Sequence, residues 1–279
     1  MKTRKTLGNT LVNFFILLLL IGFAALILMP LLWMVLTGFK TNRELFLDPW
    51  TMPETFHFKN YSAAWKSGIG NYFFNSVIVT VFATTLTTCV GCLAAYPLAR
   101  VNFKGKRLII YAILGGLMVA PQSAVISLFT LIRQLGLYDQ RLGLILVEST
   151  FNISFSTFLI MAYYRTISSS LDESAYIDGA SSFKIFTSII IPLSQPIIAS
   201  TIIVCVRSIW NELMYANVLM TSNTKKTIPV GLINMQGYTT TNWTQLVAGM
   251  VITSLPLILL FLVMQRQFVR GLSAGGVKE

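Results

Sequence analysis

Residues 6–39 read TLGNTLVNFFILLLLIGFAALILMPLLWMVLTGF, a run without a single Asp, Glu, Lys or Arg. About 20 helical residues cross the hydrocarbon core of a bilayer at roughly 1.5 Å rise each, so the run holds one spanning helix and its flanks. It also far exceeds the roughly 7–15 apolar residues of a signal-peptide core, and is expected to stay as a helix rather than be cleaved. Further charge-free runs cover residues 67–99, 108–132 and 227–265. Charged residues make up 11% of the 279, against roughly 25% in soluble domains, whose surfaces must face water. Hydrophobic residues reach 54%, and the mean hydropathy is +0.70. These values exclude a soluble enzyme. The expected fold class is an all-α polytopic membrane protein.

Six spans fit the sequence, near 11–38, 72–98, 108–132, 142–164, 190–217 and 244–265, within a single transmembrane domain over 1–279. Orientation follows from Lys and Arg, which cytoplasmic loops retain. With the N-terminus inside, twelve of them fall on inner segments and eight on outer ones. The inner set includes Lys2, Arg4, Lys5 and Lys278 and the tight cluster Arg100, Lys104, Lys106 and Arg107, so both termini are expected to be cytoplasmic. The same rule accounts for the net charge of +11 without a nucleic-acid partner. Two outer stretches, 40–70 and 218–243, carry prolines and polar residues and read as extended, with Trp50, Trp65 and Trp243 suited to interfacial anchoring. Cys89 and Cys92 form a C-x-x-C inside an apolar stretch, which suits small helix-interface residues rather than a redox pair. His57 is the only histidine, so no metal site is expected.

The longest polar stretch assigned to the inner side follows the fourth span: YYRTISSSLDESAYIDGASSFKIFTSIIIPLSQP, residues 163–196. Asp172 and Glu173 come just after Ser168–Ser170, which suits a helix N-terminus, where carboxylates meet the positive end of the dipole. Gly179 permits a sharp turn or a close backbone approach. Lys184 opens a second amphipathic stretch, and Pro192 marks entry to span 5. Helix, glycine turn and helix would make a compact knob over 168–189, projecting from the membrane.

These residues resemble a family. Glu173, Ala175, Gly179, Ile189 and Pro192 fit the E-A-A-x3-G-x9-I-x-L-P signature of ABC importer permeases, with Ser174 in place of the second-position alanine and Ile191 in place of the leucine. NSVIVTVFATTLTTCVGCLAAYPLAR (75–100) with FKGK, GLYDQRLGLIL (136–146), WNELMYANVL (210–219), TIPVGL (227–232) and the closing QRQFVRGLSAGGVKE are similar to blocks of the carbohydrate-uptake, maltose-transporter-type class. The resemblance implies a permease subunit that moves a sugar from an external binding protein into the cytoplasm of a bacterium. It implies a second homologous permease as heterodimer partner, two ATPase subunits that hold ATP and Mg2+, and a place in the bacterial plasma (inner) membrane. It assigns ATPase coupling to Glu173, Ala175, Asp178, Gly179, Ile189 and Pro192. The chain itself has no G-x-x-x-x-G-K-[ST], so no bound cofactor and no catalytic residue are expected in it.

Ionisable residues inside apolar segments are costly and mark function by default. Glu148 falls about six residues, roughly 9 Å, from the outer end of span 4, and Arg207 about ten residues, roughly 15 Å, from that of span 5. An ion pair between them is one reading. Another is a wet substrate pathway built from Arg207, Trp210, Asn211, Glu212 and Glu148, whose guanidinium, indole and amide suit a hydroxyl-rich ligand. Snorkelling or a partner contact is a third. An ion-coupled secondary carrier is the alternative from another class, although its usual inverted repeats are not visible here.

Overall fold

The computed structural model describes residues 7–236 and 241–276, so Lys2, Arg4, Lys5 and Lys278 of the charge rule lie outside the described residues. The described part is helical. Four helices are long and apolar enough to cross a membrane, and there are up to six spans if each of two bent helix pairs counts as one. The chain groups into two compact units, residues 1–67 with 235–253, and residues 68–234 with 254–279.

In the first unit, α1 (Leu7–Thr37) exposes apolar side chains on every face from Val12 to Leu32, which is the pattern of a helix whose solvent is lipid. The stretch after it is not extended, as the sequence reading had it. Thr41 caps α2 (Asn42–Leu47) in a capping box with Glu44, and the backbone and hydroxyl of Thr41 hold the Glu44 carboxyl below the usual range. The Lys40 ammonium, buried with its stem, donates to the carbonyls of Asp48 and Pro49 at 3.0 Å each, and the Trp33 indole donates to Pro49 at 2.7 Å. The side-chain amide of Asn60, in α3 (Lys59–Ala64), ties back to the carbonyls of Gly38 and Lys40. Pro49 and Pro53 do exclude helix locally, but these side-chain bonds fold the flanks on either side. Trp50, Trp65 and Trp243 are all exposed, as anchoring requires.

The second unit is built on α4 (Gly70–Arg100), which packs along α7 (Arg141–Tyr164). Their contact includes small and hydroxylated residues, Ala83 and Gly91 against Ser149, Ser156 and Thr157. A Cβ at Gly91 would stand 3.3 Å from that of Ser156, and the Ser149 hydroxyl bonds the Ala83 carbonyl at 3.3 Å. Such close backbones are how helices associate where lipid removes the hydrophobic drive. Cys92 is buried in this packing, while Cys89 is exposed.

Span 3 of the sequence reading, 108–132, is two helices. α5 (Lys106–Met118) and α6 (Val125–Gln134) meet at 93° through a single 3-10 turn that begins at Pro121. Val119 and Ala120 before that proline are extended, as a following proline ring demands. Span 5, 190–217, is also broken. After α8 (Ser170–Ile177) come α9 (Ser182–Ile185), a wide turn over Phe186–Ile190 and α10 (Ile191–Leu193), which bend by 76° into α11 (Gln195–Trp210). Residues 211–213 then interrupt the helix before α12 (Met214–Leu219). Pro192 and Pro196 each sit in the first turn of a helix, where the missing N–H costs nothing. The stretch 218–243 also contains a helix, α13 (Ile228–Asn234), since Pro229 falls at its start rather than inside it. Residues 237–240 of that stretch lie outside the described residues. α14 (Trp243–Gly276) is the last described helix.

One loop clip was not foreseen. Asp139 accepts from the backbone N–H groups of Thr221 and Ser222 at 3.0 Å, from the Ser222 hydroxyl, and from Lys225 at 3.3 Å, which joins the α6–α7 turn to the segment after α12. Burial pushes the Asp139 carboxyl up, but the bonds from Ser222, Lys225 and Thr221 together outweigh it and bring it down to about 2.

Candidate functional site

Two places gather most of the residues singled out by the sequence: a helical knob between α7 and α11, and a polar cavity between the α5–α6 break and the interruption at 211–213.

The knob starts at α8. Asp172 and Glu173 occupy its first turn, but they face opposite ways. Asp172 is buried and its Oδ2 lies 3.4 Å from Nε of Arg100, the last residue of α4. Glu173 is exposed. The helix ends in a Schellman motif, with the Ala180 N–H on the Ala175 carbonyl at 2.9 Å and that of Gly179 on Tyr176 at 3.0 Å. Gly179 supplies the left-handed residue this motif needs, at φ 78°. A Cβ on it would meet nothing within 4 Å, so within this chain the turn, and not a close approach, explains the glycine. Ser181 then caps α9, and the Tyr176 hydroxyl bonds Ser182 at 2.9 Å across the turn.

The knob is seated by apolar contacts. Ala175, Ile185, Phe186 and Ile190 are buried with Tyr96, Ile160 and Tyr164, and Ile189 packs against them. The Phe186 ring meets that of Tyr96 at a tilt of 50°, with ring centres 5.2 Å apart. At the outer edge of this packing, Ile177 and Phe183 are 87% and 69% exposed, and Glu173, Asp178 and Lys184 are also exposed. Pro192 is exposed at the start of α10. An apolar patch rimmed by charges is the pattern of a protein-docking surface.

The cavity encloses about 420 Å³ between the α5–α6 break, α7 and the α11–α12 break. Gln122, Glu148, Asn152, Asn211, Glu212 and Tyr215 contribute its polar lining. Glu212 has a structural task as well, since its two carboxylate oxygens accept from the N–H groups of Tyr215 and Ala216 at 2.7 and 3.0 Å. It thereby satisfies the amides freed by the break. Glu148 differs: it is 4% exposed, it sits near Glu212, and its Oε1 has no hydrogen-bond partner.

The expected Arg207–Glu148 pair does not form. The salt bridges among the described residues are Arg100–Asp172 and Lys225–Asp139. Depth along the two spans is compatible, but Arg207 lies on an exposed face of α11 whereas Glu148 faces the cavity, and rotation about the helix axes decides. Arg207 contributes only its carbonyl here, to the Asn211 side chain at 2.8 Å. Trp210 lines a different, apolar groove of about 480 Å³ with Pro256 and the threonines of α4, and meets the Phe73 ring edge-on at 5.7 Å. Of the five pathway residues, Glu148, Asn211 and Glu212 come together. Sequence reasoning missed Gln122, Asn152, Tyr215 and the Arg100–Asp172 pair, although Pro121 and the polar Asn152 on an apolar helix were signals for the cavity.

Residues 87–274 match the family described as binding-protein-dependent transport system inner membrane component. The chain is 41% identical over 272 residues to the probable ABC transporter permease protein YurM of Bacillus subtilis, covering 98% of this chain and 89% of that one. It is 33% identical to the diacetylchitobiose uptake system permease protein NgcG of Streptomyces coelicolor, over 92% and 86% of the two chains. To the trehalose/maltose transport system permease protein MalG of Thermococcus litoralis it is 32% identical, over 94% and 96%. A solved bacterial ABC transporter involved in import of the acidic polysaccharide alginate has a chain of the same fold, with TM-score 0.80, 23% identity and coverage of 94% and 98%.

Proposed function

Because the chain belongs to the family of binding-protein-dependent transport system inner membrane components, we propose that it is a sugar-importing permease subunit of an ABC transporter in a bacterial plasma membrane. In this reading each bent pair counts as one span. The chain then crosses the bilayer six times as a single permease domain, with both termini cytoplasmic and the 168–189 knob on the cytoplasmic side. It pairs with a second permease, receives sugar from an external binding protein, and draws on two ATPase subunits that hold ATP and Mg2+. The relatives named for diacetylchitobiose and for trehalose/maltose support a neutral glycan as cargo.

The observation that carries the reading is the knob. Its inner face is fastened to α4 and α7 while Ile177 and Phe183 stand in the open. A partner that grips this face moves the helices to which it is tied as one body, which is how closure of ATPase subunits reaches the pathway. Glu173 and Asp178 offer charge to a basic groove, and Gly179 lets the chain reverse beneath it. The polar cavity lies on the sugar's path, with Glu148, Asn211 and Glu212 along it.

Broken helices and neighbouring carboxylates are also what ion-coupled carriers use, so energy source is the discriminating measurement. Membranes containing the chain and its co-purified partners are reconstituted in vesicles. Uptake that requires internal ATP, and an ATPase that co-purifies with the chain, are the expected results. Uptake driven by an ion gradient without ATP overturns the importer reading.

A further inference from the structure

The chain that follows α1 folds back along the helix instead of leaving it. The Trp33 indole, one helical turn before the end of α1 at Thr37, donates to the Pro49 carbonyl at 2.7 Å, and the Trp33 and Trp50 rings stand 5.7 Å apart. Helical side chains lean toward the N-terminus, so residues 49 and 50 are held beside the last turns of α1 and not beyond them. The polar groups of this segment point into it. Lys40, 1% exposed, donates to the Asp48 and Pro49 carbonyls at 3.0 Å each. The Glu44 carboxyl accepts from the Thr41 hydroxyl at 2.8 Å and from the Glu54 N–H at 3.0 Å. What the segment presents outward is apolar: Phe46, Leu47, Trp50 and Met52 are 68%, 65%, 71% and 70% exposed. So many large apolar side chains on one short, hydrogen-bonded segment mark a surface that meets something other than water. α1, beside them, exposes apolar side chains on every face from Val12 to Leu32, the pattern of a helix surrounded by lipid. The medium around α1 thus reaches the segment too, and indole and phenyl rings suit its boundary with water.

We propose that residues 42–52 form an interfacial foot, a folded segment lying in the outer lipid boundary with Phe46, Leu47, Trp50 and Met52 among phospholipid headgroups and upper acyl chains. Its partner is the lipid surface, and what recognises it is apolar area held at membrane height. The foot fixes the depth of α1 through the Trp33 and Lys40 bonds. It also reaches α14: the Asn42 side-chain oxygen accepts from the Thr244 N–H at 3.1 Å, next to the exposed Trp243. The outer ends of α1 and α14 are therefore set at one depth by the same segment. This goes beyond anchoring by single tryptophans, because a rigid fold and not the indoles alone meets the lipid. It is independent of cargo and of energy source, so it stands or falls apart from the importer reading.

The test uses the assembled complex in lipid nanodiscs. A phosphatidylcholine carrying a photoactivated carbene precursor close to its headgroup is irradiated with the wild-type protein, and tryptic peptides are read by mass spectrometry. No Lys or Arg lies between Arg43 and Lys59, so one peptide, 44–59, holds all four side chains. Adducts on Phe46, Leu47, Trp50 and Met52 are expected. A peptide without adducts, while α1 is labelled, overturns the foot. Spin labels give a second reading. The background is Cys89→Ser, since Cys89 is exposed whereas Cys92 and Cys205 are buried. Leu47→Cys and Met52→Cys carry the label, with Leu26→Cys as the hydrocarbon reference and Glu54→Cys as the water reference, both at exposed positions. Relaxation by oxygen, which partitions into lipid, is divided by relaxation by a water-soluble nickel chelate. The ratio should exceed unity at 47 and 52, as at 26, and fall below unity at 54. A ratio below unity at 47 and 52 places the foot in water. Protection from both reagents means that a protein, the second permease or the binding protein, covers it. Either result overturns the lipid assignment.

Discussion

Removing Arg100 should unseat the knob without unfolding the membrane helices. The Arg100 and Asp172 side chains are 10% and 12% exposed and their charged atoms lie 3.4 Å apart. At an effective dielectric of about 20, two unit charges at that distance attract by about 5 kcal/mol before desolvation is counted. Nε and Nη2 of Arg100 and Oδ1 of Asp172 are buried without hydrogen bonds, so the contact between the two charges is what offsets their burial. Arg100→Met keeps the apolar stem and leaves the Asp172 carboxylate buried alone, a change that typically costs about 3–5 kcal/mol. The loss falls on α8, because α4 is held separately along its length by α7. Amide hydrogen exchange over residues 170–180 in nanodiscs should therefore rise about a hundredfold, which is what roughly 3 kcal/mol implies, while exchange in the middle of α4 stays as in wild type. Replacing both residues with apolar ones, Arg100→Met with Asp172→Leu, should return α8 exchange close to wild type, because no buried charge then remains. Wild-type exchange in the single variant, or no recovery in the double, refutes the idea that this ion pair seats the knob.

Gly179→Ala should loosen the α8–α9 turn by about 1–2 kcal/mol through its positive φ alone, and Gly179→Asn by less; ATPase co-purification should fall in that order, and equal retention of both variants contradicts the turn argument. A larger loss with Gly179→Asp than strain explains would reveal that the partner approaches the backbone here. Glu173→Lys should weaken ATPase docking more than Glu173→Ala at low salt, because reversal creates repulsion where alanine only deletes an attraction; equal pull-down of both means that Glu173 faces no cation. The Asp139 carboxyl is depressed when folded, to about 2 from an ordinary 3.8, so its stabilisation is present above pH 3.8 and is lost as pH falls through about 2. Proteolytic cleavage at 221–226 should rise across that interval in wild type, whereas Asp139→Asn should be cleaved readily even at pH 7; a pH-independent wild type shows that the clip does not hold the loop.

The charge-free runs and the spacing from Glu173 to Pro192 were enough to read a helical membrane protein and to locate the knob. Both signals are local: a bilayer demands about 20 apolar residues in sequence, and a helix–glycine–helix turn is written in contiguous residues. The stretch 40–70 was misread for the opposite reason. Beyond the Thr41–Glu44 capping box, a local signal that was overlooked beside the prolines, its order comes from Lys40, Trp33 and Asn60 bonding backbone carbonyls 8 to 22 residues away.

Residue type and depth along a span could be read for Glu148 and Arg207, but not their facing. Which of them looks into the cavity depends on how α7 and α11 are rotated, and that is set by small-residue packing such as Gly91 on Ser156 and Ser156 on Cys205. The breaks at Pro121 and at residues 211–213 likewise acquire meaning only when they meet beside α7. Composition and spacing determine that the chain enters a membrane and carries a helix–glycine–helix knob, because both depend on transfer free energy and local geometry. Tertiary packing alone decides which carboxylate is salt-bridged, which caps a helix and which is left facing a cavity, because those outcomes depend on the relative rotation of helices far apart in the sequence.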